Sequence, residues 1–158
     1  VAPKPQLIRV FVNLITNAIQ AVAMRQREVD AEGGEVFAGK VVICLRNSTR
    51  DGFYDVVVDD NGSGVKEENI GKIFTPNFTT KSAGTGLGLA ICRNIMEKCG
   101  GEISYKRSFA LGGASFTVTI PKKEEYENEK TRHIVNSISD NNYCYDNSCS
   151  CYNNNACK

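Results

Sequence analysis

The chain has no tryptophan, a single histidine and only two methionines, and its charges nearly cancel, with 19 Lys and Arg against 18 Asp and Glu. Without a basic excess, general nucleic-acid binding is disfavoured, because that activity ordinarily leaves a strong positive balance. No apolar run approaches the ~20 residues needed to span a bilayer. Nor does the start of this sequence read as a signal peptide, since Val1-Ala2-Pro3-Lys4-Pro5 puts no apolar stretch behind a charged start. The prolines favour extended chain ahead of a helix, and residues 1–5 read as a linker from a missing upstream domain. Paired cysteine spacing is likewise lacking. Cys44, Cys92 and Cys99 fall in apolar or helical segments, where a free thiol behaves as a small hydrophobe. Such core thiols suggest a reducing compartment. Cys144, Cys149, Cys151 and Cys157 crowd the end of the chain, and their spacing matches no common zinc-binding Cys-x-x-Cys pair.

What is present fits one domain with a tail, in 158 residues of which 41% are hydrophobic. A domain of that size needs no disulfide or metal to fold. Gln6 to Arg27 predicts a long amphipathic helix, with Val10, Phe11, Leu14, Ile15, Ala18, Ile19 and Val22 on a broad apolar face. Gln6, Arg9, Asn13, Thr16, Asn17 and Gln20 share the other face. Strands are expected over Val41–Arg46 and Phe53–Asp59, joined by a loop rich in turn formers. A short helical segment near Glu67–Phe74, a second helix from about Gly86 to Cys99, and strands over Glu102–Lys106 and Ala114–Ile120 follow. This α-β-β-α-α-β-β order predicts an α/β fold with helices on one face of a mixed sheet. The domain is bounded at residues 6–121. Residues 122–158 are dominated by charged residues, then Asn, Ser, Cys and Tyr; with so little aliphatic content they are expected to form a disordered tail.

Three segments carry chemistry. Asn13 and Asn17 are spaced so that a helix stacks them one turn apart. They are either part of a solvated polar face or a site for hydrated Mg²⁺, which takes one or two protein ligands beside phosphate oxygens. Asp60-Asn61-Gly62-Ser63-Gly64 ends a strand in a carboxylate at a sharp turn, with glycines that let another group approach the backbone. Asn-Gly also marks hairpins, although a polar helix start rather than an alternating strand comes next. The third segment, Thr79 to Leu89, contains Gly84, Gly86 and Gly88 opening directly into an amphipathic helix. Backbone N–H groups and the positive helix end favour phosphate there. A flexible linker is the alternative, weakened by Leu87 and Leu89 within the glycine run. The run is not a P-loop, because Lys81 precedes its glycines, nor a dinucleotide fingerprint, because Leu89 stands where Gly is needed.

In combination these segments resemble sensor histidine kinases. Asn13-Leu14-Ile15-Thr16-Asn17-Ala18 is similar to the N box, Asp60 to Gly64 to the first glycine box, Ile73 to Lys81 to the F box, and Gly84 to Leu89 to the second glycine box. Gly112-Gly113-Ala114 is similar to the small-residue turn before the last strand. The resemblance spans Gln6 to Pro121 and implies the catalytic ATP-binding domain of a bacterial two-component sensor kinase. The implied fold is Bergerat, a two-layer sandwich of a mixed β-sheet with helices packed on one face, shared with gyrase, heat-shock-90 and MutL ATPases.

Residue roles follow from the resemblance. Asn17 is implied as the Mg²⁺ ligand and Asn13 as the catalytic polar residue near the phosphates. Asp60 is implied to bond the adenine amino group, in a pocket shaped by Gly62, Gly64 and Val65. Phe78, Thr79, Thr80, Lys81, Gly84, Thr85, Gly86, Leu87 and Gly88 form the implied ATP lid and phosphate cradle. Gln20 stands where many such kinases carry Lys or Arg, and Asn77 replaces a frequent Phe, which loosens lid packing. Gyrase-like and chaperone-like ATPases place Glu at the position of Asn13 to activate water, whereas an amide accepts no proton near neutral pH. Asn13 therefore favours transfer to a neutral imidazole over hydrolysis, with a hydrolytic ATPase or a non-catalytic nucleotide-binding module as the rival readings. The acceptor is implied to be a histidine on a separate dimerisation domain, because His133, the chain's one histidine, sits downstream in polar sequence. The resemblance further implies a response regulator as downstream partner, a cytoplasmic location under a parent that a membrane can anchor, and a largely monomeric domain.

Overall fold

The computed structural model describes residues 4–33, 36–80 and 84–122, together with the backbone of residues 143–144. Helix α1 (Lys4–Ala31) precedes β1 (Val41–Asn47) and β2 (Phe53–Asp60). Then come α2 (Glu67–Ile70), α3 (Gly88–Lys98), β3 (Glu102–Arg107), β4 (Ala114–Pro121) and the two-residue β5 (Tyr143–Cys144). The expected order holds through β4. The first helix is longer than Gln6–Arg27, and the short helix stops at Ile70, short of Phe74. Residues 123–142 and 145–158 lie outside the described residues, and with them His133, Cys149, Cys151 and Cys157.

The strands lie in the order β3-β4-β2-β1-β5, and every described pairing is antiparallel where a mixed sheet was expected. A strand-helix-strand connection is the usual route to parallel neighbours. Here β2 and β3 do run parallel, but β4 lies between them and is antiparallel to both. The architecture remains the anticipated two layers, with α1 and α3 packed on one face of the sheet.

The core forms between those layers. Val10, Leu14 and Ala18 recur one turn apart on α1 and are buried, with Cys92 and Met96 of α3 beside them. Opposite lie Val58, Ile103, Phe116 and Val118. They share one face because Val58 pairs with Phe116 and Ile103 with Val118 in register. Phe116 meets Phe74 edge-on with ring centroids 6.4 Å apart, and Tyr105 at 5.3 Å. Each fully buried side chain of this kind contributes roughly 1.5–3 kcal/mol, so packing rather than helix propensity holds α1 in place. By length and apolar composition α1 is sufficient to cross a membrane, contrary to the reading that no run approaches that length. Val10, Leu14 and Ala18 form its buried stripe on the sheet and another stripe lines the cleft described below, while Ile8, Val12 and Ile19 stay exposed.

The other face of the sheet is also buried at its centre, through Cys44, Asp55, Val57, Asp59 and Ser115. Arg46 Nε lies 3.7 Å from Asp55 Oδ2, and Thr119 Oγ1 donates to Asp55 Oδ1 at 2.8 Å. Burial pushes the Asp59 carboxyl above its ordinary range, while Ser115 and Lys106 pull the other way. Cys92 and Cys99 are free, but Cys44 is disulfide-bonded rather than a thiol. Its strand has β5 along the outer edge, with Cys44 opposite Cys144 in register. The case for a reducing compartment accordingly rests on two cysteines, not three.

Candidate functional site

A cleft of about 330 Å³ opens where α1, the turn after β2, residues 78–80 and 84–88, and the start of β4 meet. Helix α1 contributes Asn13, Thr16, Asn17, Gln20 and Ala21. These fall on one face because residues three and four apart stack along a helix. In the fold this polar face fronts a cavity. Asn13 Nδ2 donates to the Arg9 carbonyl at 3.0 Å, and Asn13 Oδ1 lies 3.0 Å from where a Cβ on Gly88 would sit. Its side chain is thus held between its own helix and the first residue of α3.

Asp60 lines the same cleft. It is 2% exposed, a depth at which a carboxyl group needs hydrogen-bond partners. Its Oδ1 accepts the Gly62 N–H at 2.8 Å and the Ala114 N–H at 3.2 Å. The local turn supplies the first donor and β4 supplies the second, so the carboxyl orientation is set by both elements. The turn does not make a hairpin, because β2 pairs with β1 and β4 and not with the segment that follows it. Gly113 allows the approach: a Cβ there would stand 2.4 Å from both the Asp60 carbonyl oxygen and its Oδ1. Gly64 and Val65 line the adjoining wall, and the Val65 N–H donates to Tyr105 Oη at 3.2 Å.

The second glycine loop closes the opposite side through Thr79, Thr80, Gly84, Thr85, Gly86 and Gly88. Gly86 has φ +67, and a Cβ on it would lie 2.5 Å from the Asn77 carbonyl carbon and 2.7 Å from the Phe78 nitrogen. The loop therefore rests directly on the backbone before it. Asn77 itself takes φ 64, a left-handed conformation that Asn tolerates better than bulky residues. The residue that departed from the family pattern thus suits the backbone on which Gly86 sits. Helix α3 starts beside the cleft with no side-chain cap at Leu87. Its first N–H groups and positive dipole end are thereby left to a ligand or solvent. Ile73, Phe78, Leu89, Ala114 and Phe116 supply apolar walls.

Most of the anticipated residues come together here. Gly62 does not line the cleft; it backs the turn, where a Cβ would meet Ala21 at 2.8 Å. Leu87 does not line it either and is 40% exposed. Lys81 lies outside the described residues. Sequence reasoning left out of the site Thr16, Ala21, Ile73, Leu89, Ala114 and Phe116. Helical spacing from Asn13 and Asn17 could have found Thr16 and Ala21. Ala114 and Phe116 enter only through the pairing of β4 with β2, for which the sequence carries no local signal.

Comparison with known proteins agrees with this geometry. Residues 3–124 match the family model for histidine kinase-, DNA gyrase B-, and HSP90-like ATPases. The chain is 36% identical to the sensor protein FixL of Bradyrhizobium diazoefficiens over 124 residues, covering 78% of this chain and 22% of FixL. It is 39% identical to the sensor histidine kinase ZraS of Salmonella typhimurium over 120 residues, covering 76% and 23% respectively. Among solved structures, the catalytic domain of the histidine kinase ThkA superposes with a TM-score of 0.59 at 36% identity, over 77% of this chain and 70% of that one. Full-length ShkA in complex with AMPPNP gives 0.54 at 26% identity, over 73% and 21%. The chain thus spans under a quarter of the length of the curated relatives it matches. With the N-box face, the buried Asp60 and the glycine loop gathered around one cleft, and with this match across residues 3–124, the chain belongs to the histidine kinase-, DNA gyrase B- and HSP90-like ATPase family.

Proposed function

We propose that this domain binds Mg-ATP in the cleft and transfers the γ-phosphoryl group to a histidine on a separate dimerisation domain of a longer sensor kinase. The observation that carries the reading is Asp60, a buried carboxyl held by two backbone N–H groups in a cleft that also presents the apolar side chains of Val65, Ile73, Phe78 and Phe116. Such a group selects a ligand that presents a hydrogen-bond donor on a flat apolar body, as the exocyclic amine of adenine does. Val65, Ile73, Phe78 and Phe116 would flank the ring. The phosphates would extend towards Asn13, Gln20, Thr79, Thr80, Gly84, Thr85, Gly86, Gly88 and the uncapped start of α3.

Asn13 and Asn17 both line this cleft wall, and neutral hard amide oxygens fit Mg²⁺ beside phosphate. Asn17 would hold the ion, which when bound neutralises phosphate charge. The protein's own part is positioning, through Asp60 at one end and the glycine loop at the other. Asn13 accepts no proton near neutral pH, so it activates no water, and an imidazole acceptor needs no such help. The ATP-binding unit runs from α1 to β4 and so takes in Lys4 and Pro5, which the sequence placed in a linker. The domain acts in the cytoplasm as a monomer, and a response regulator receives the phosphoryl group from the dimerisation domain.

The test mixes this chain, Mg-ATP and the histidine domain of its parent, and looks for acid-labile phosphate on histidine. Asp60→Asn should abolish that transfer by removing the acceptor and presenting N–H groups to the base. Transfer undiminished in Asp60→Asn, or steady-state ATP hydrolysis by the isolated domain at kinase-like rates, would overturn the proposal. Asn17→Ala should weaken the metal dependence of nucleotide binding, and an unaltered Mg²⁺ titration would count against its role as ligand.

A further inference from the structure

Beyond Asn17, α1 continues to Ala31, well past the face that lines the cleft. Two side chains of this extension reach the Asp60–Gly64 turn from behind. Arg25 Nη1 donates to the Gly62 carbonyl at 3.2 Å, and Ser63 Oγ donates to Glu28 Oε2 at 3.2 Å. The Arg25 guanidinium also lies over the Phe37 ring, 5.5 Å from its centroid. The segment before β1 holds the same turn from a third side. Asn61 Oδ1 accepts the Lys40 N–H at 2.7 Å, and Asn61 Nδ2 donates to the Ala38 carbonyl at 2.8 Å. Gly62 therefore has both backbone polar groups engaged, its N–H on Asp60 and its carbonyl on Arg25. Neither Arg25 nor Phe37 lines the cleft.

Resting on the Mg-ATP reading, we propose that Arg25 is a positioning residue for base recognition. By holding the Gly62 carbonyl it anchors the peptide after Gly62, restraining the residue whose N–H, in the peptide before it, orients Asp60, and so sets the angle at which the carboxyl meets an exocyclic amine. An Asp60 free to rotate would present its acceptor less consistently, and a purine carrying a carbonyl at that position would be rejected less strongly. Arg25 consequently affects discrimination between bases, not only overall affinity. Phe37 contributes by stacking on the guanidinium, which limits the conformers Arg25 loses on making the bond.

The experiment measures calorimetric affinities of the whole chain for ATP and GTP with Mg²⁺. Arg25→Met, which keeps the apolar stem and loses the donor, should weaken ATP binding about tenfold and narrow the ATP-over-GTP ratio by a similar factor. Arg25→Lys should restore most of the ratio, because an ammonium can still donate to the carbonyl. Phe37→Leu, which retains the donor, should fall between and serves if Arg25→Met does not fold. Amide exchange at Gly62 should accelerate in Arg25→Met. Retained ATP binding with an unchanged ratio, or equal weakening for both nucleotides, would overturn the positioning role alone. Failure of the wild-type chain to bind ATP would instead overturn the nucleotide reading and this role with it.

Discussion

Replacing Gly86 with alanine separates two costs that glycine loops usually combine. Gly52 and Gly86 both adopt left-handed backbone, φ +77 and φ +67, but a Cβ on Gly52 meets nothing within 4 Å. Gly52→Ala should therefore cost only the left-handed conformation, about 1–2 kcal/mol. At Gly86 the new methyl would lie 2.5 Å from the Asn77 carbonyl carbon, where ordinary contact begins near 3.4 Å. The loop or the residues under it must then move by about 0.9 Å, the difference of those distances. The atoms it would meet, at Asn77 and Phe78, are all backbone, so no side-chain rotation relieves the clash. Because Phe78, Thr79, Gly86 and Gly88 all line the cleft, that displacement falls on the wall assigned to phosphate. A misplacement of about 1 Å at a site of this kind can cost roughly a hundredfold in rate. Binding of a non-hydrolysable ATP analogue should weaken at least ~10-fold, about 1.4 kcal/mol. Calorimetry with the analogue, alongside thermal unfolding of both variants, provides the comparison. The expected pattern is Gly52→Ala destabilised with normal affinity and Gly86→Ala impaired in affinity. Wild-type affinity in Gly86→Ala, or equal losses in both variants, would refute the reasoning.

Leu14→Ala should destabilise the domain by about 2–5 kcal/mol, because Leu14 is wholly buried between α1 and the sheet; urea unfolding that shows less than ~1 kcal/mol would contradict its place in the core. Asn77→Phe, which restores the commoner residue, should lower stability by about 1–3 kcal/mol through its φ of 64, and a stabilised variant would argue against that backbone. Burial raises the folded-state pKa of Asp59 above 3.8, so the native state holds its proton more tightly than the unfolded state does. Stability then falls as pH rises from the unfolded value through the folded one, and the cost is complete above that. Asp59→Asn should be more stable than wild type at neutral pH, with the gap closing on acidification; a gap independent of pH would exclude this account. Burial pushes the Cys92 thiol up to about 11, so native protein at pH 8 should resist alkylation there until unfolded, and rapid labelling by mass spectrometry would show that the thiol is accessible.

Much of the site is legible in the sequence because it is written in local spacing. Asn13 and Asn17 share a helical face by periodicity alone, and the alternation of Gly84, Gly86 and Gly88 announces a loop that must approach another group closely. Local spacing does not identify what that other group is. The partner of Gly86 is the backbone at Asn77, and Gly113, which looked like a turn residue, is the clearance that lets β4 donate to Asp60. Arg25 reads in sequence as one more cation on the late turns of a helix, and its bond to Gly62 bridges 37 residues. The disulfide state of Cys44 was equally hidden, since spacing among cysteines says nothing about which strand edges become neighbours.

By itself, the amino-acid sequence determined the order of helices and strands through β4, the amphipathic face of α1 and the chemical character of the three segments that bear on nucleotide. Those properties depend on periodicities of two and 3.6 residues and on backbone freedoms that each segment carries with it. Only the tertiary structure decided that β4 inserts between β2 and β3, which makes the sheet antiparallel and brings Ala114 and Phe116 to the cleft. It alone made part of the polar stripe of α1 a wall of the cleft that Asp60 also lines. Strand order and long-range contact follow from how buried surfaces fit together across the whole chain, and no local pattern encodes that fit.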